Sequence, residues 1–313
     1  MSAVAVSVLQ TGFALLTAPL LVGLTRQVRA RLEGRAGAGV LQPWRDLRKL
    51  LAKEPLRARG SSAVQWLGPL VLLGSSLMLA ALVPTLSVVA PALLPGDLFV
   101  VVSVLLVGTV ALALIGLDAG TAFGGMGSSR HMMIAALVEP TVLLAVYALS
   151  IPVGSSSLGP IIASRVQAPS TVVAPASLLA VVALAVAVLA ETGRLPIDNP
   201  STHLELTMVH EAMVLEASGR DLAWIELGSW LRLTVLLALV ANLLAPWGIA
   251  QDAAPLDLAV GALAVTGKTA LLGLVLGAGE VFLAKLRLFR VPELLAGSFV
   301  LAFLAVTGSY VIG

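Results

Sequence analysis

Residues 97–118 read DLFVVVSVLLVGTVALALIGLD. Between the two aspartates lie twenty residues without an ionisable side chain. As a helix, with a rise of about 1.5 Å per residue, they span about 30 Å, the hydrocarbon thickness of a bilayer. The run is continuous rather than alternating, so it does not describe a strand with one wet face. A helix is also the form that satisfies its own backbone polar groups in lipid. Comparable runs cover residues 4–24, 65–89, 132–151, 172–191, 223–245, 257–283 and 293–312. The last follows Pro292, which suits a first helical turn. Eight spans predict an all-α polytopic membrane protein, organised as a single integral membrane domain over residues 1–313. The composition agrees: 58% of residues are hydrophobic and 12% are charged, and the mean hydropathy is +1.02. Cysteine is absent. This excludes disulfides, a thiolate nucleophile and cysteine-ligated iron–sulfur clusters within the chain.

Orientation follows from the basic residues. Ten of the nineteen lysines and arginines lie between the first two spans. Arg130, Arg194, Arg220, Lys285, Arg287 and Arg290 fall in later connections on the same side, whereas the opposite loops carry Arg165 beside Asp97, Asp252 and Asp257. Positive residues concentrate in cytoplasmic loops, so the basic side is expected in the cytoplasm and both termini outside. The first run lacks a positive segment before it and is expected to be a retained helix rather than a signal peptide. A net charge of +2 does not point to nucleic acid.

Residues 25–64 form the first cytoplasmic loop. Within it, VLQPWRDLRKLLAKEP places Leu41, Trp44, Leu47, Leu50 and Leu51 at helical spacing. Arg45, Arg48, Lys49 and Lys53 fill much of the other surface. Pro43 can open the helix and Pro55 can close it. The pattern predicts an amphipathic helix at the membrane surface, either as plain anchoring in lipid or as the rim of a portal or a seat for a peripheral subunit. Residues 150–171, rich in serine, glycine and proline, are expected to be a short external connector.

Residues 191–221, ETGRLPIDNPSTHLELTMVHEAMVLEASGRD, lie between two long apolar runs. Residues 191–222 are therefore expected to be an acidic cytoplasmic junction loop. The candidates for a proton path or coupling are Glu191, Asp198, Glu205, Glu211 and Glu216, with Asp118, Glu139, Lys268 and Glu280 from the spans or their ends. Ionisable groups inside a membrane are costly and mark pathways or partners. Lys268 lies at midspan, where a partner carboxylate or a desolvated amine is expected. Glu139 precedes Pro140, which breaks helical hydrogen bonding. Arg232 can snorkel or neutralise a carboxylate. Residues 201–217 are expected to form a helix with His203 and His210 almost on one face and Glu205 and Glu216 opposite. Such a helix can meet partners or simply face solvent. Two turns between the histidines is wider than a compact zinc pair requires. No P-loop, dinucleotide-binding glycine motif or HExxH pattern is present.

LQPWRDLRKLLAKE, SSRHMMIAALVEP and ETGRLPIDNPSTHLEL together resemble the membrane-anchor H subunit family shared by respiratory complex I and group 4 nickel–iron hydrogenases. The formate hydrogenlyase and hydrogenase-4 branch is the more similar. The complex I form favours Pro-Phe-Asp and a more acidic run, where this chain has Pro196, Ile197 and Asp198, with His203 inside the run. The resemblance implies a prokaryotic cytoplasmic membrane, a docking role for Arg130, Arg194, His203, His210 and Arg220, and a membrane-interface role for Trp44, Arg45, Arg48 and Lys49. It also implies partners: a hydrogenase large subunit, a small iron–sulfur subunit and an antiporter-like membrane subunit. The nickel–iron centre and clusters would belong to those partners, with no cofactor in this chain. Under the alternative, a quinone-chamber subunit of an NADH dehydrogenase-like complex, quinone would be the ligand.

Overall fold

The computed structural model describes residues 2–58, 60–89, 96–198 and 208–312. Helix α1 (Ala3–Leu32) opens on Ser2, whose hydroxyl accepts from the Ala5 amide, and ends with Arg29 and Arg31 in its last turn. Both ends complement the helix dipole. Pro43 opens the amphipathic α2 (Gln42–Leu51). This helix stops before Pro55, leaving Lys53 outside it.

Helix α3 (Val64–Leu82) is shorter than the run that extends to residue 89. The carbonyls at its end are met by side chains of other helices instead of another turn. Gln10 Nε2 donates to Ala80 O at 3.0 Å and Val83 O at 3.2 Å, and Asn242 Nδ2 donates to Thr85 O at 3.0 Å.

Asp97 caps α4 (Leu98–Asp118). Helix α5 (Ala122–Ser150) starts on the Thr121 cap and takes in the glycine-rich stretch expected to lie outside the span. Two of its glycines serve packing: a Cβ at Gly124 would come within 2.2 Å of Gly116 O, and one at Gly127 within 2.9 Å of the Ala212 Cβ.

The 150–171 connector also differs from expectation, since it contains α6 (Leu158–Gln167). Next come α7 (Pro175–Glu191), α8 (His210–Val214) and α9 (Gly219–Leu244). The expected 201–217 helix is thus represented among the described residues by the five residues of α8. Helices α10 (Pro255–Phe282) and α11 (Val291–Ile312) complete the bundle.

Among the described residues, seven helices are long and apolar enough to cross a membrane, and α7 supplies an eighth apolar helix at 17 residues. Among the described residues no strand forms; two isolated bridges, Ser87 with Ala250 and Asp97 with Ser157, tie connections together. Helix α9 is buried along nearly its whole length and packs on α1, α3, α7 and α10. Helices α4, α5, α7 and α11 extend the bundle on one flank, and α10 lies against α1. One end of the bundle carries both termini, the segments after α3 and α9, and α6. The other carries α2, α8 and most of the arginines.

Gly219 joins α2 to the bundle at the basic end. Its φ is +52°, and a Cβ there would lie 2.4 Å from Glu54 O. Beside it the Leu56 amide donates to Ser218 Oγ at 2.8 Å, and Arg57 Nε donates to Asp221 at 2.9 Å. Gly219→Val combines a left-handed backbone with a backbone clash, so it should cost at least about 2 kcal/mol. Gly74→Ala, which meets nothing within 4 Å, should cost nothing. Thermal unfolding of the two purified variants in detergent checks the difference; equal midpoints would contradict the contact.

Candidate functional site

The site begins where α7 ends. Gly193, at φ +58°, turns the chain away after Glu191, leaving that carboxylate at the C-terminal, negative end of a helix dipole. An anion there needs a compensating cation. Arg232 of α9 supplies it through an Nη2 contact with Glu191 Oε1. The same nitrogen donates to Leu105 O at 2.8 Å and Thr109 Oγ1 at 2.7 Å, and Thr109 Oγ1 lies 3.1 Å from the glutamate oxygen. The two ionic side chains are 3% and 7% exposed, so α4, α7 and α9 meet in a pair removed from solvent.

Around this pair lies a cavity of about 40 Å³, lined among others by His131, Asp198 and His210. That volume accommodates water molecules. Arg232 Nε, His131 Nε2 and Glu139 Oε1 are buried and have no hydrogen-bond partner among the described residues. Glu139 lies within electrostatic reach of Glu191 and Arg232, which brings the α5 carboxylate beside Pro140 into the same neighbourhood. His131 senses Arg232, His210 and Asp198.

Further ion pairs brace the entrance. Lys285 Nζ donates to Asp198 Oδ1 at 2.9 Å, while Asp198 Oδ2 accepts from the His210 amide at 3.0 Å. Arg194 Nη1 lies 3.0 Å from Glu280 Oε1, and Arg29 Nη1 lies 3.8 Å from Glu280 Oε2. Arg29 also holds Glu33 at 2.9 Å; its hydrogen bond, then that of Arg35, holds the Glu33 carboxyl below its ordinary range. Arg29, Arg194 and Glu280 border a polar cleft of about 560 Å³, which also includes Arg26, Arg35, Glu211 and Glu226. The Arg26 guanidinium sits 5.5 Å from the Trp230 ring centroid. Cleft and inner cavity share Thr192, Gly193, His210 and Ser229. A charged opening at the basic end therefore narrows onto the Glu191–Arg232 pair.

Of the residues singled out in the sequence, Glu191, Asp198, Arg194, His210, Glu211 and Glu280 converge here, with Glu139 behind them. Others do not. Asp118 accepts from the Ser62 amide at 3.0 Å and secures the start of α3. Arg130 Nη1 donates to Met208 O at 3.1 Å, an internal contact. Glu216 and Arg220 are exposed. His203 and Glu205 lie outside the described residues.

Lys268 has no carboxylate at its ammonium among the described residues. Its Nζ donates to Asn242 Oδ1 at 3.1 Å, towards the end with the termini, so the expected carboxylate partner is corrected to an amide. Trp44, Arg45 and Arg48 line a separate groove of about 560 Å³ with Trp224 and Leu227 of α9, and Lys49 is exposed. Among the described residues, no group of three or more metal-ligating His, Asp or Glu side chains forms.

The sequence reading did not select Thr109, His131, Lys285 or Arg29 as site residues, and it left Arg232 open. His131 stood inside the SSRHMM stretch, and Arg232 is a cation within an apolar run; these two carried a signal.

Comparison with known proteins places this geometry in a family context. Over 92% of its length the chain is 32% identical to formate hydrogenlyase subunit 4 of Escherichia coli (strain K12), covering 92% of that protein. It is 32% identical to hydrogenase-4 component C of the same organism, covering 76% of this chain and 74% of the relative. It is 26% identical to NADH-quinone oxidoreductase subunit 8 of Rhodothermus marinus, covering 73% and 69%. A chain in the structure of the membrane-bound sulfane sulfur reductase, an archaeal respiratory membrane complex, has the same fold. The TM-score is 0.81 at 17% identity, with 99% of this chain and 100% of that chain covered. The NADH dehydrogenase family model matches residues 4–309, and the chain belongs to that family.

Proposed function

We propose that this chain is the membrane-anchor and proton-coupling subunit of a complex I-like group 4 hydrogenase or formate hydrogenlyase. It would sit in a prokaryotic cytoplasmic membrane with its basic end inside and both termini outside. The single observation that carries this reading is the buried Glu191–Arg232 pair, reached from the charged cleft through a water-sized cavity. Similarity over nearly the full length of formate hydrogenlyase subunit 4 supports the choice of complex. The cleft would seat the peripheral redox arm: a large catalytic subunit and a small iron–sulfur subunit. An antiporter-like subunit would take the lateral face. Metal-centre ligands would come from those partners, since this chain has no cysteine.

Within the chain, Arg194, Asp198, Lys285 and Glu280 position the cleft. Arg232 balances the Glu191 charge. Glu139 receives and releases a proton at its carboxyl group, and His131 and His210 line the approach. Lys268 and Asn242 form a separate polar node, which we assign to the same charge path across the bundle.

The alternative, a quinone-chamber subunit, draws on the Rhodothermus relative. The inner cavity of about 40 Å³ does not fit that ligand, because small-molecule sites occupy about 300–1,000 Å³. The outer cleft would be large enough but is edged by ionic side chains. Mass and nickel analysis of the intact native complex separates the readings: nickel with a large catalytic subunit is expected, and an NADH module without nickel would overturn the hydrogenase reading.

Glu139→Gln should lower proton uptake per hydrogen turned over by at least roughly tenfold, since one positioned proton donor–acceptor is worth about 10²–10⁴-fold. Glu139 forms no ion pair among the described residues, which keeps the folding cost small. Hydrogen turnover and vesicle acidification, normalised to assembled complex, measure this. An unchanged ratio would remove Glu139 from the path.

A further inference from the structure

The bundle holds another buried cation, remote from the charged cleft. Arg165 of α6 is 4% exposed at the end that carries the termini. Its Nη1 donates to Leu243 O, closing the end of α9, and its Nη2 donates to Ser177 Oγ. Both acceptors are neutral, and no carboxylate forms an ion pair with it among the described residues. Burial lowers its pKa to about 10, which leaves it cationic at neutral pH. A guanidinium has five N–H donors, so capacity remains after these two contacts. Unpaired buried charge is costly.

Arg165 also lines a cavity of about 420 Å³ at the ends of α5, α7 and α11. Ser164, Thr171 and Ser309 contribute hydroxyls, while Leu149, Val153 and Ala176 supply an apolar wall. The first turn of α7 borders the same space, adding the positive end of its dipole. Next to it, α7 and the residue before its start region expose Val173, Leu178 and Val182, and α11 exposes Val311. The Ser164 and Thr171 hydroxyls already donate to Ile161 O and Ala168 O, so the space combines a cation, the Ser309 hydroxyl and an apolar flank.

We infer that this cavity binds the phosphate of an anionic phospholipid, with the acyl chains along the exposed faces of α7 and α11. The phosphate would supply the counter-charge that Arg165 lacks, through a charge-assisted, two-donor contact. A free phosphate offers the same charge, but the apolar flank favours a headgroup attached to hydrocarbon. The site is independent of which redox partner docks at the opposite end.

The test uses the full chain in its native complex, reconstituted into nanodiscs of phosphatidylcholine alone or mixed with phosphatidylglycerol. Native mass spectrometry after mild extraction reads the lipid retained on this subunit. Phosphatidylglycerol should be retained over phosphatidylcholine by roughly tenfold: both carry the phosphate, but the choline cation cancels its charge and opposes Arg165, so the full charge-assisted contact is left to the net-anionic lipid. Arg165→Gln should abolish the preference, and Arg165→Lys should restore part of it. Gly308 borders the cavity with Ala176 Cβ 3.4 Å from its Cβ position. Gly308→Leu fills the space while leaving Arg165, so it should abolish retention even if Arg165→Gln fails to fold. Equal retention of the two lipids by the unaltered protein would overturn the proposal. So would a preference that survives either Arg165→Gln or Gly308→Leu. Displacement of phosphatidylglycerol by millimolar inorganic phosphate would instead identify a site for free oxyanion and overturn the lipid assignment.

Discussion

Arg232→Met should destabilise the bundle by about 3–5 kcal/mol, the usual cost of removing one partner from a buried ion pair. Glu191 would then lie at the negative end of α7 with its side chain 3% exposed and Thr109 as its remaining hydrogen-bonding neighbour. The arginine also donates to Leu105 O, so its loss exposes more than one acceptor to an apolar surrounding. Glu191→Gln should be destabilising too, because it strands the guanidinium. The double replacement, Glu191→Gln with Arg232→Met, should recover most of the loss, since neither charge is left buried alone. Such a cycle isolates the pair from the packing of each side chain. Thermal unfolding in detergent and the amount of assembled complex in the membrane measure all three variants. If Arg232→Met unfolds at the same temperature as the parent, the pair does not brace the site. If the double variant regains stability but not coupling of hydrogen turnover to proton movement, stability and charge function have been separated at these two residues.

The parts of this design legible in the sequence are those with a local signal. Apolar runs identify the helices because a bilayer demands about twenty consecutive apolar residues. The spacing of Trp44, Leu47 and Leu51 identifies α2 because amphipathic periodicity is local. The start of α5 was hidden because its glycines imitate a loop; Gly124 allows close approach to α4 and Gly127 to the α8 region, which are tertiary facts. Helix α6 was hidden by the serines, glycines and prolines around it, although Pro160 falls within its first turn, where proline is tolerated.

The site was legible as residue types but not as pairs. Glu191 and Arg232 are 41 positions apart, and Arg194 and Glu280 are 86 apart; no local pattern joins them. Lys268 shows the limit of a charge rule. A carboxylate partner or a desolvated amine is the expectation for a midspan ammonium; the amide oxygen of Asn242 takes the carboxylate's place, and Asn242 is itself engaged with the segment after α3. Asp118 shows a second limit: its carboxylate at the end of α4 accepts from the Ser62 amide, a local contact that residue type alone does not distinguish from a place on a path.

Asp198→Ala should loosen the whole basic face, again at a cost of about 3–5 kcal/mol. Asp198 is 3% exposed and joins segments far apart in sequence. One carboxylate oxygen takes Lys285 Nζ, from the connection between α10 and α11, and the other takes the His210 amide at the start of α8. The adjacent Pro196 carbonyl accepts from Leu286 N at 2.9 Å, so the turn after α7 is held against that connection twice. Alanine removes the charge and both acceptors, so Lys285 loses its contact with Asp198 and the amide at the start of α8 loses its acceptor. Asn can still accept from His210 while losing the charge, so Asp198→Asn should fall between the parent and alanine. Hydrogen exchange localises the effect: amides in 208–214 and 283–290 should lose protection together, whereas the middle of α4 should not. Protection lost across the entire chain would mean global unfolding. Unchanged exchange in both segments would contradict the joint. Because Asp198 also lines the inner cavity, assembled Asp198→Asn complexes test its second role. Slower proton uptake at normal hydrogen turnover assigns it to the path, while normal coupling confines it to holding the three segments in register for the redox arm.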